Sequence, residues 1–360
     1  MHFNTITAHN RKKDAKTTCP CGIEIILCNK SALEYWRMHR NIKINDNLRL
    51  RRNGPPAVCP NQSDIYNMLP SGLTVPINII IGNQRARRRS TIFQPRVYTG
   101  PTPDGCFINV GDGIAVSSPQ FCFFQMASDL PLIKLIELGF ELCGAYSLPV
   151  KDEPGLMDDG VFQSENGQDT ETAGETTYNY PPLSSTKAIN GFVTRMVDVG
   201  GQKNASRALR FIANGAASPM ETKLVMLLTL PHRLGGFGLP MPELNKRIDP
   251  SKADRQGLRL SEKAYFKCDL FWKEKAIAVE YDSDLFHTNE KSIHADSERR
   301  FDLDVIGIDP ITVTGKQVRD PVALERIARQ IAKKLGIRWQ HKSEKSLEAE
   351  YELRRLLMLL

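Results

Sequence analysis

The sequence predicts an α/β protein, with an αβββαβ core in its C-terminal part preceded by a smaller α+β domain. Three observations predict it. First, residues 264–284 (AYFKCDLFWKEKAIAVEYDSD) hold two alternating runs on either side of Lys273-Glu274-Lys275, the pattern of a β-hairpin. Second, the segments around that hairpin change period from one to the next. They read as helix 220–230, strand 243–248, hairpin strands 265–271 and 277–282, helix 289–304, strand 309–314 and helix 321–335. Third, PINIII (76–81) and short runs near Val97-Tyr98, 106–110 and 114–116 read as strands, before a helical pattern over 118–138.

The signals for each element are local. Residues 1–18 are polar and basic, a loose tail. Within 25–40, SALEYWRMHR places Leu33 and Trp36 on one helix face. Leu130, Ile133, Ile136 and Leu138 follow helical spacing, and Pro131 suits a first helical turn. A short helix over 205–213 carries Leu209 and Ile212 and closes at Asn214-Gly215. Thr288 or Asn289 caps the helix 289–304, with Glu290 in its first turn. The amphipathic helix 321–335 ends at Gly336. Residues 151–185 hold eight acidic residues among many Gly, Ser and Thr, a composition that cannot bury enough surface to order itself. The expected organisation is therefore a basic N-terminal region (1–74), an α+β domain (75–150), an acidic disordered linker (151–186), the main domain (187–338) and a charged C-terminal helix (339–360).

The chain has 360 residues and a net charge of +7 that conceals an asymmetry. Residues 1–100 carry 16 Lys+Arg against 5 Asp+Glu, residues 101–200 carry 4 against 14, and the remainder carries 28 against 22. Basic surfaces attract polyanions, most often nucleic acid. A solvated surface accounts for net charge equally well. No apolar run reaches the ~18 residues that span a bilayer, and MHFNTITAHNRKK has no signal-peptide core, so a cytoplasmic protein with no membrane partner is expected. Of the eight cysteines, only Cys19, Cys21 and Cys28 are close in sequence, without CxxC spacing or a histidine cluster. They read as reduced thiols rather than a zinc site.

The hairpin carries the chemistry. Phe266, Cys268, Leu270 and Trp272 share one face of its first strand, and Ile277, Val279 and Tyr281 one face of its second. The opposite faces hold Lys267, Asp269 and Phe271, then Ala278, Glu280 and Asp282. A tight turn near Glu274-Lys275 sets Asp269 nearly opposite Glu280, with Asp282 pointing the same way. Three carboxylates on one face repel each other, and a divalent cation relieves the repulsion. Hard oxygen ligands suit Mg²⁺ or Mn²⁺. The alternative is a solvated face paired with Lys267 and nearby arginines.

Taken together, SPMETKL (218–224), KCDLFW (267–272), VEYDSDLFH (279–287) and DSERR (296–300) in this element order resemble the PD-(D/E)xK nuclease superfamily. The branch most similar is that of the very-short-patch-repair endonucleases. The resemblance covers 218–338 and implies a restriction-endonuclease-like core whose metal is held by Glu221, Asp269 and Glu280, with the backbone carbonyl of Tyr281. The superfamily's E-x-K lysine would fall at position 282, where this chain has Asp282. Three alternatives follow: His287 acts as the base, as a histidine does in the repair branch; a lysine such as Lys267 reaches in; or the domain binds DNA without cutting it. Asp296, Arg299 and Arg300 follow i, i+3, i+4 spacing, so one arginine can pair with Asp296 while the other contacts a phosphate. An ordinary surface ion pair is the simpler reading.

The stretch 110–146 (VGDGIAVSSPQFCFFQMASDLPLIKLIELGFELCGAY), with its SSP…LP motif, resembles abortive-infection antitoxins of the AbiEi type. That likeness implies a phage-defence or mobile-element setting with a toxin–antitoxin partner. The leading expectation is a Mg²⁺- or Mn²⁺-dependent DNA endonuclease acting in phage defence or repair, with phosphate contacts from Arg85, Arg87, Arg88, Arg89, Arg299 and Arg300. Second comes a non-catalytic DNA-binding regulator on a degenerate nuclease fold, and third an antitoxin that binds a protein.

Overall fold

Ile25–Leu27 (β1) is three residues long and wholly buried, because it is the middle strand of a sheet. It runs antiparallel to Ile77–Ile81 (β2) and parallel to Ile114–Ser117 (β5). Phe93–Val97 (β3) lies beside β2 and Phe107–Gly111 (β4) beside β5, in the order β3-β2-β1-β5-β4. The computed structural model describes residues 25–44, 46–50, 54–56, 59, 69–88, 90–150, 175–282 and 290–360, without the side chains of 46 and 290–296. The boundary expected at residue 74 therefore does not separate two units. β1 and the helix Asn29–Met38 (α1) are part of the same layer as 75–150. Trp36 of α1 is fully buried and its Nε1–H donates to the Ser117 carbonyl at 2.8 Å.

The helical pattern over 118–138 is two helices, Pro119–Met126 (α2) and Leu132–Cys143 (α3). Pro131 stands at the cap of α3 in extended backbone rather than inside its first turn, where a residue lacking an N–H is tolerated. Both carboxylate oxygens of buried Glu141 on α3 accept from partly buried Arg37 on α1, at 2.8 and 2.7 Å. Tyr146–Ser147 (β6) pairs with Thr177–Tyr178 (β7). The end of the segment expected as a disordered linker thus forms a strand, and 151–174 lie outside the described residues. Thr186–Val193 (α4) and Gln202–Ala208 (α5) follow. The helix expected over 205–213 begins earlier and ends in one 3-10 turn at Leu209–Phe211.

Pro219–Thr229 (α6) is buried nearly all round; Leu224, Val225, Met226, Leu227 and Leu228 are fully enclosed. A helix apolar on every side belongs in a core, and α6 shares one continuous core with α3 and the first sheet. Polar bonds cross the same seam: the Tyr146 and Thr222 hydroxyls lie 3.0 Å apart, and the Ala145 N–H donates to the Ala216 carbonyl at 2.7 Å.

Beyond α6 come Glu243–Ile248 (β8), Lys252–Gly257 (α7), Phe266–Trp272 (β9), Ile277–Asp282 (β10), Glu290–Val305 (α8), Asp309–Thr314 (β11), Gly315–Arg319 (α9), Pro321–Leu335 (α10) and Glu344–Leu356 (α11). The second sheet has the order β11-β10-β9-β8. β8, β9 and β10 are successively antiparallel, and β11 returns parallel to β10. A parallel return needs a crossover, which α8 supplies in the chain. The protein is thus α/β, with mixed helices and sheets. The charged C-terminal helix α11 is no solvated appendage: Leu353 and Leu357 are buried, and Glu350 is held by Arg354 and Lys342.

The faces of the hairpin differ from the expected ones. Leu270, Trp272, Ile277 and Val279 join the main core, whereas Phe266 and Cys268 pack with Phe271, Ala278, Leu303 and Ile308 on the other side. Cys268 and Phe271 are three residues apart and share a cluster, so strict alternation breaks at Asp269-Leu270. Among the described residues, no helix is long and apolar enough to cross a membrane. The described cysteines are free and buried. Burial pushes the thiols of Cys106, Cys122, Cys143 and Cys268 up to about 12, which keeps them protonated.

Candidate active site

Glu221 sits in the first turn of α6. Ser218 caps that helix by accepting from the Glu221 N–H at 3.1 Å, and its hydroxyl donates back to Glu221 Oε1 at 3.0 Å. Glu221 Oε2 accepts from the Ala217 N–H at 2.9 Å and from Asn245 Nδ2 at 2.6 Å. A buried carboxylate is thereby fixed by two residues just before it in sequence, Ala217 and Ser218, and one residue of β8. Asn245 lies opposite Asp269 in the β8–β9 register, between Leu244↔Leu270 and Lys246↔Cys268. Its φ of 48° is left-handed, a conformation asparagine tolerates better than most residues. The ladder is distorted at this residue, opposite Asp269.

On the other edge of β9, the pairs Ile277↔Trp272, Ala278↔Phe271 and Val279↔Leu270 carry the register to Glu280 opposite Asp269, as the hairpin spacing predicts. There the ladder gives way to a side chain: the Tyr281 N–H donates to Asp269 Oδ2 at 2.8 Å. Burial, with the charge of Glu221 and then of Glu280, pushes the Asp269 carboxyl from 3.8 up to about 7, against the Tyr281 N–H and Lys267, which favour the anion. Glu280 is bound by Arg299 of α8. Nη2 donates to Oε1 at 2.7 Å and Nε to Oε2 at 3.3 Å, while Nη2 also reaches the Lys267 carbonyl at 2.7 Å. Burial works against the Arg299 charge, but its bonds to Glu280 outweigh that and hold the guanidinium above its ordinary range.

Among the described residues, no group of three or more His, Cys, Asp or Glu side chains is arranged to hold a metal ion. Both oxygens of Glu221 and both of Glu280 are engaged by donors. Asp269 Oδ1 accepts from none of the described residues. The donor set still suits a hard divalent cation: the charges of Glu221 on α6 and Glu280 on β10 bear on Asp269 of β9 and push its carboxyl up, and a cation would relieve that repulsion. Tyr281, expected to offer its carbonyl, contributes its N–H to Asp269.

The chain is similar at a significant level to no protein-family model, no curated protein and no solved structure. The functional reading therefore stands on geometry and on the motifs themselves.

The remaining expected residues fall as follows. Asp282 ends β10, partly exposed and paired in the backbone with Thr314. His287 and Arg89 lie outside the described residues, as does the side chain of Asp296. Arg299 binds Glu280, where a pairing with Asp296 or a phosphate was expected, and Arg300 beside it is exposed. Arg85, Arg87 and Arg88 are exposed in the turn after β2, on the first sheet rather than the sheet of the carboxylates. Lys267 is exposed, with no bond from its ammonium among the described residues. Two residues escaped the sequence reading. Ser218 was legible, since Ser-x-x-Glu with proline at the first helical position is a cap signature. Asn245 carried no signal, because nothing local marks a left-handed residue inside a strand.

Proposed function

We propose that this chain is a metal-dependent endonuclease that hydrolyses phosphodiester bonds in DNA. One observation carries the proposal. Asp269, whose Oδ1 accepts from none of the described residues, stands opposite Glu280 and is raised to about 7 by burial and by Glu221 and Glu280. That crowding arises between three elements brought together by the fold, not by sequence proximity, and such perturbed carboxylates mark functional sites. The element order and the sheet order support the restriction-endonuclease-like reading. Glu221, Asp269 and Glu280 would hold Mg²⁺ or Mn²⁺. When bound, the metal would supply Lewis-acid stabilisation of charge on the phosphate. The chain's own groups do the rest. Ser218 and Asn245 orient Glu221, the Tyr281 N–H orients Asp269, and the exposed arginines hold the phosphate backbone.

The deciding experiment is incubation with supercoiled plasmid and Mg²⁺ or Mn²⁺, with and without chelator; metal-dependent nicking or linearisation is expected. The Arg299–Glu280 pair favours a second reading, a DNA-binding regulator in which an arginine has replaced the metal for good. Binding to DNA without cutting, unaffected by metal, would select that reading. DNA binding should weaken steeply with salt. Each phosphate neutralised contributes about −0.9 to the slope of log K against log salt, so changing Arg87, Arg88 and Arg89 to alanine should flatten the slope by about 2 to 3. An unchanged slope would remove the turn after β2 from the interface.

A further inference from the structure

We propose that Arg299 serves two anions in turn: it neutralises Glu280 while no cation is bound, and is released to a backbone phosphate of the nucleic acid when a divalent cation takes Glu280. The inference rests on the reading of the carboxylates as a metal site and adds the coupling between metal and nucleic acid. Three features carry it. Arg299 occupies both oxygens of Glu280, the atoms a cation would need. Its side chain is 37% exposed against 17% for Glu280, so the arginine is the partner nearer to solvent. Its Nη1 makes no bond among the described residues, and one of its remaining contacts is to a carbonyl, that of Lys267. A guanidinium matches a phosphate as well as a carboxylate.

Exchange of partners is favourable in one direction only. A divalent ion brings twice the charge to Glu280 and also meets Asp269, which the guanidinium does not bond. The displaced arginine then stands beside the site with its donors unpaired, and a phosphate satisfies them. Metal and nucleic acid should therefore bind with positive coupling, and coupling in binding is reciprocal.

The test measures binding rather than cleavage. Mn²⁺ affinity is read by calorimetry on the full chain for wild type, Arg299→Gln, Arg299→Lys and Glu280→Gln. A short phosphorothioate duplex, read by fluorescence anisotropy with and without Mn²⁺, reports nucleic-acid binding. Arg299→Gln should bind Mn²⁺ about tenfold more tightly, a difference of about 1.4 kcal/mol. Wild type should bind the duplex more tightly when Mn²⁺ is present, and Arg299→Gln should lose that gain. Arg299→Lys, which keeps the charge, should stay near wild type in Mn²⁺ affinity, so a tightening shared by both variants would point to a structural disturbance and overturn the inference. Unchanged or weaker Mn²⁺ binding by Arg299→Gln would overturn it too, leaving the metal site intact. If wild type and Glu280→Gln take up Mn²⁺ alike, the carboxylate site itself is wrong and the inference falls with it.

Discussion

Asp269→Asn should abolish cleavage and, in the same variant, stabilise the free protein at pH 8. Asparagine keeps an oxygen for the Tyr281 N–H but removes the charge that a cation needs. Metal-borne stabilisation of the transition state amounts to several kcal/mol, so the loss in rate should be on the order of 10³-fold or more. The stability gain follows from the raised carboxyl. In the unfolded chain the group ionises near 3.8, in the folded protein near about 7. Between those values the folded state holds one proton more than the unfolded state, so stability falls as pH rises through that window and the full cost is present above it. The rise corresponds to about 4 kcal/mol as a ceiling at ~1.4 kcal/mol per tenfold, and solvent contact reduces it to about 2 kcal/mol. Urea unfolding at pH 5 and pH 8 should show a smaller difference in the variant, and Mn²⁺ should stabilise wild type but not the variant. Wild-type cutting by Asp269→Asn, or a loss of stability at pH 8, would remove Asp269 from the site.

The second large effect concerns the base, because Asp282 stands where the resembling family has lysine. His287→Ala should lose ~10²–10⁴-fold in rate. Imidazolium cannot accept a proton, so wild-type activity should fall as pH drops through the range where imidazole protonates, and the variant should lack that acid limb. Mn²⁺ affinity should change little. Lys267→Ala should have a small effect on rate, since a protonated ammonium accepts nothing; its loss should weaken duplex binding instead. The opposite pattern, a large loss in Lys267→Ala and none in His287→Ala, would transfer the role to the lysine that sits two residues before Asp269 and bears on its charge.

Much of the second sheet was legible. Strands β8, β10 and β11 and helix α10 have the expected bounds, because each is delimited by punctuation that acts locally. Asp320 caps α10 by accepting from the Val322 and Ala323 N–H groups, and Gly336 closes it at φ 74°. The opposition of Asp269 and Glu280 followed from counting residues around one turn. What failed depended on contacts distant in sequence. β1 is too short to announce itself, and its partners β2 and β5 lie far along the chain. The faces of β9 were misassigned because alternation assumes an unbroken pleat, and this strand loses it beside the carboxylates. The donors that hold Glu221 and Glu280, Asn245 and Arg299, come from elements whose approach no spacing rule describes.

The seam around α6 has a consequence for how such a protein changes over time. The helix that carries Glu221 is enclosed in one core together with α3 and residues of the second sheet. Its Thr222 and the residues before it are tied by hydrogen bonds to 143–146. The part of the chain that carries the proposed site is therefore packed into the rest and not an independent cassette. A substitution in α3 that shifts α6 by a fraction of an ångström displaces a proposed ligand, so α3 is held to the tolerances of the proposed chemistry although it supplies no proposed ligand.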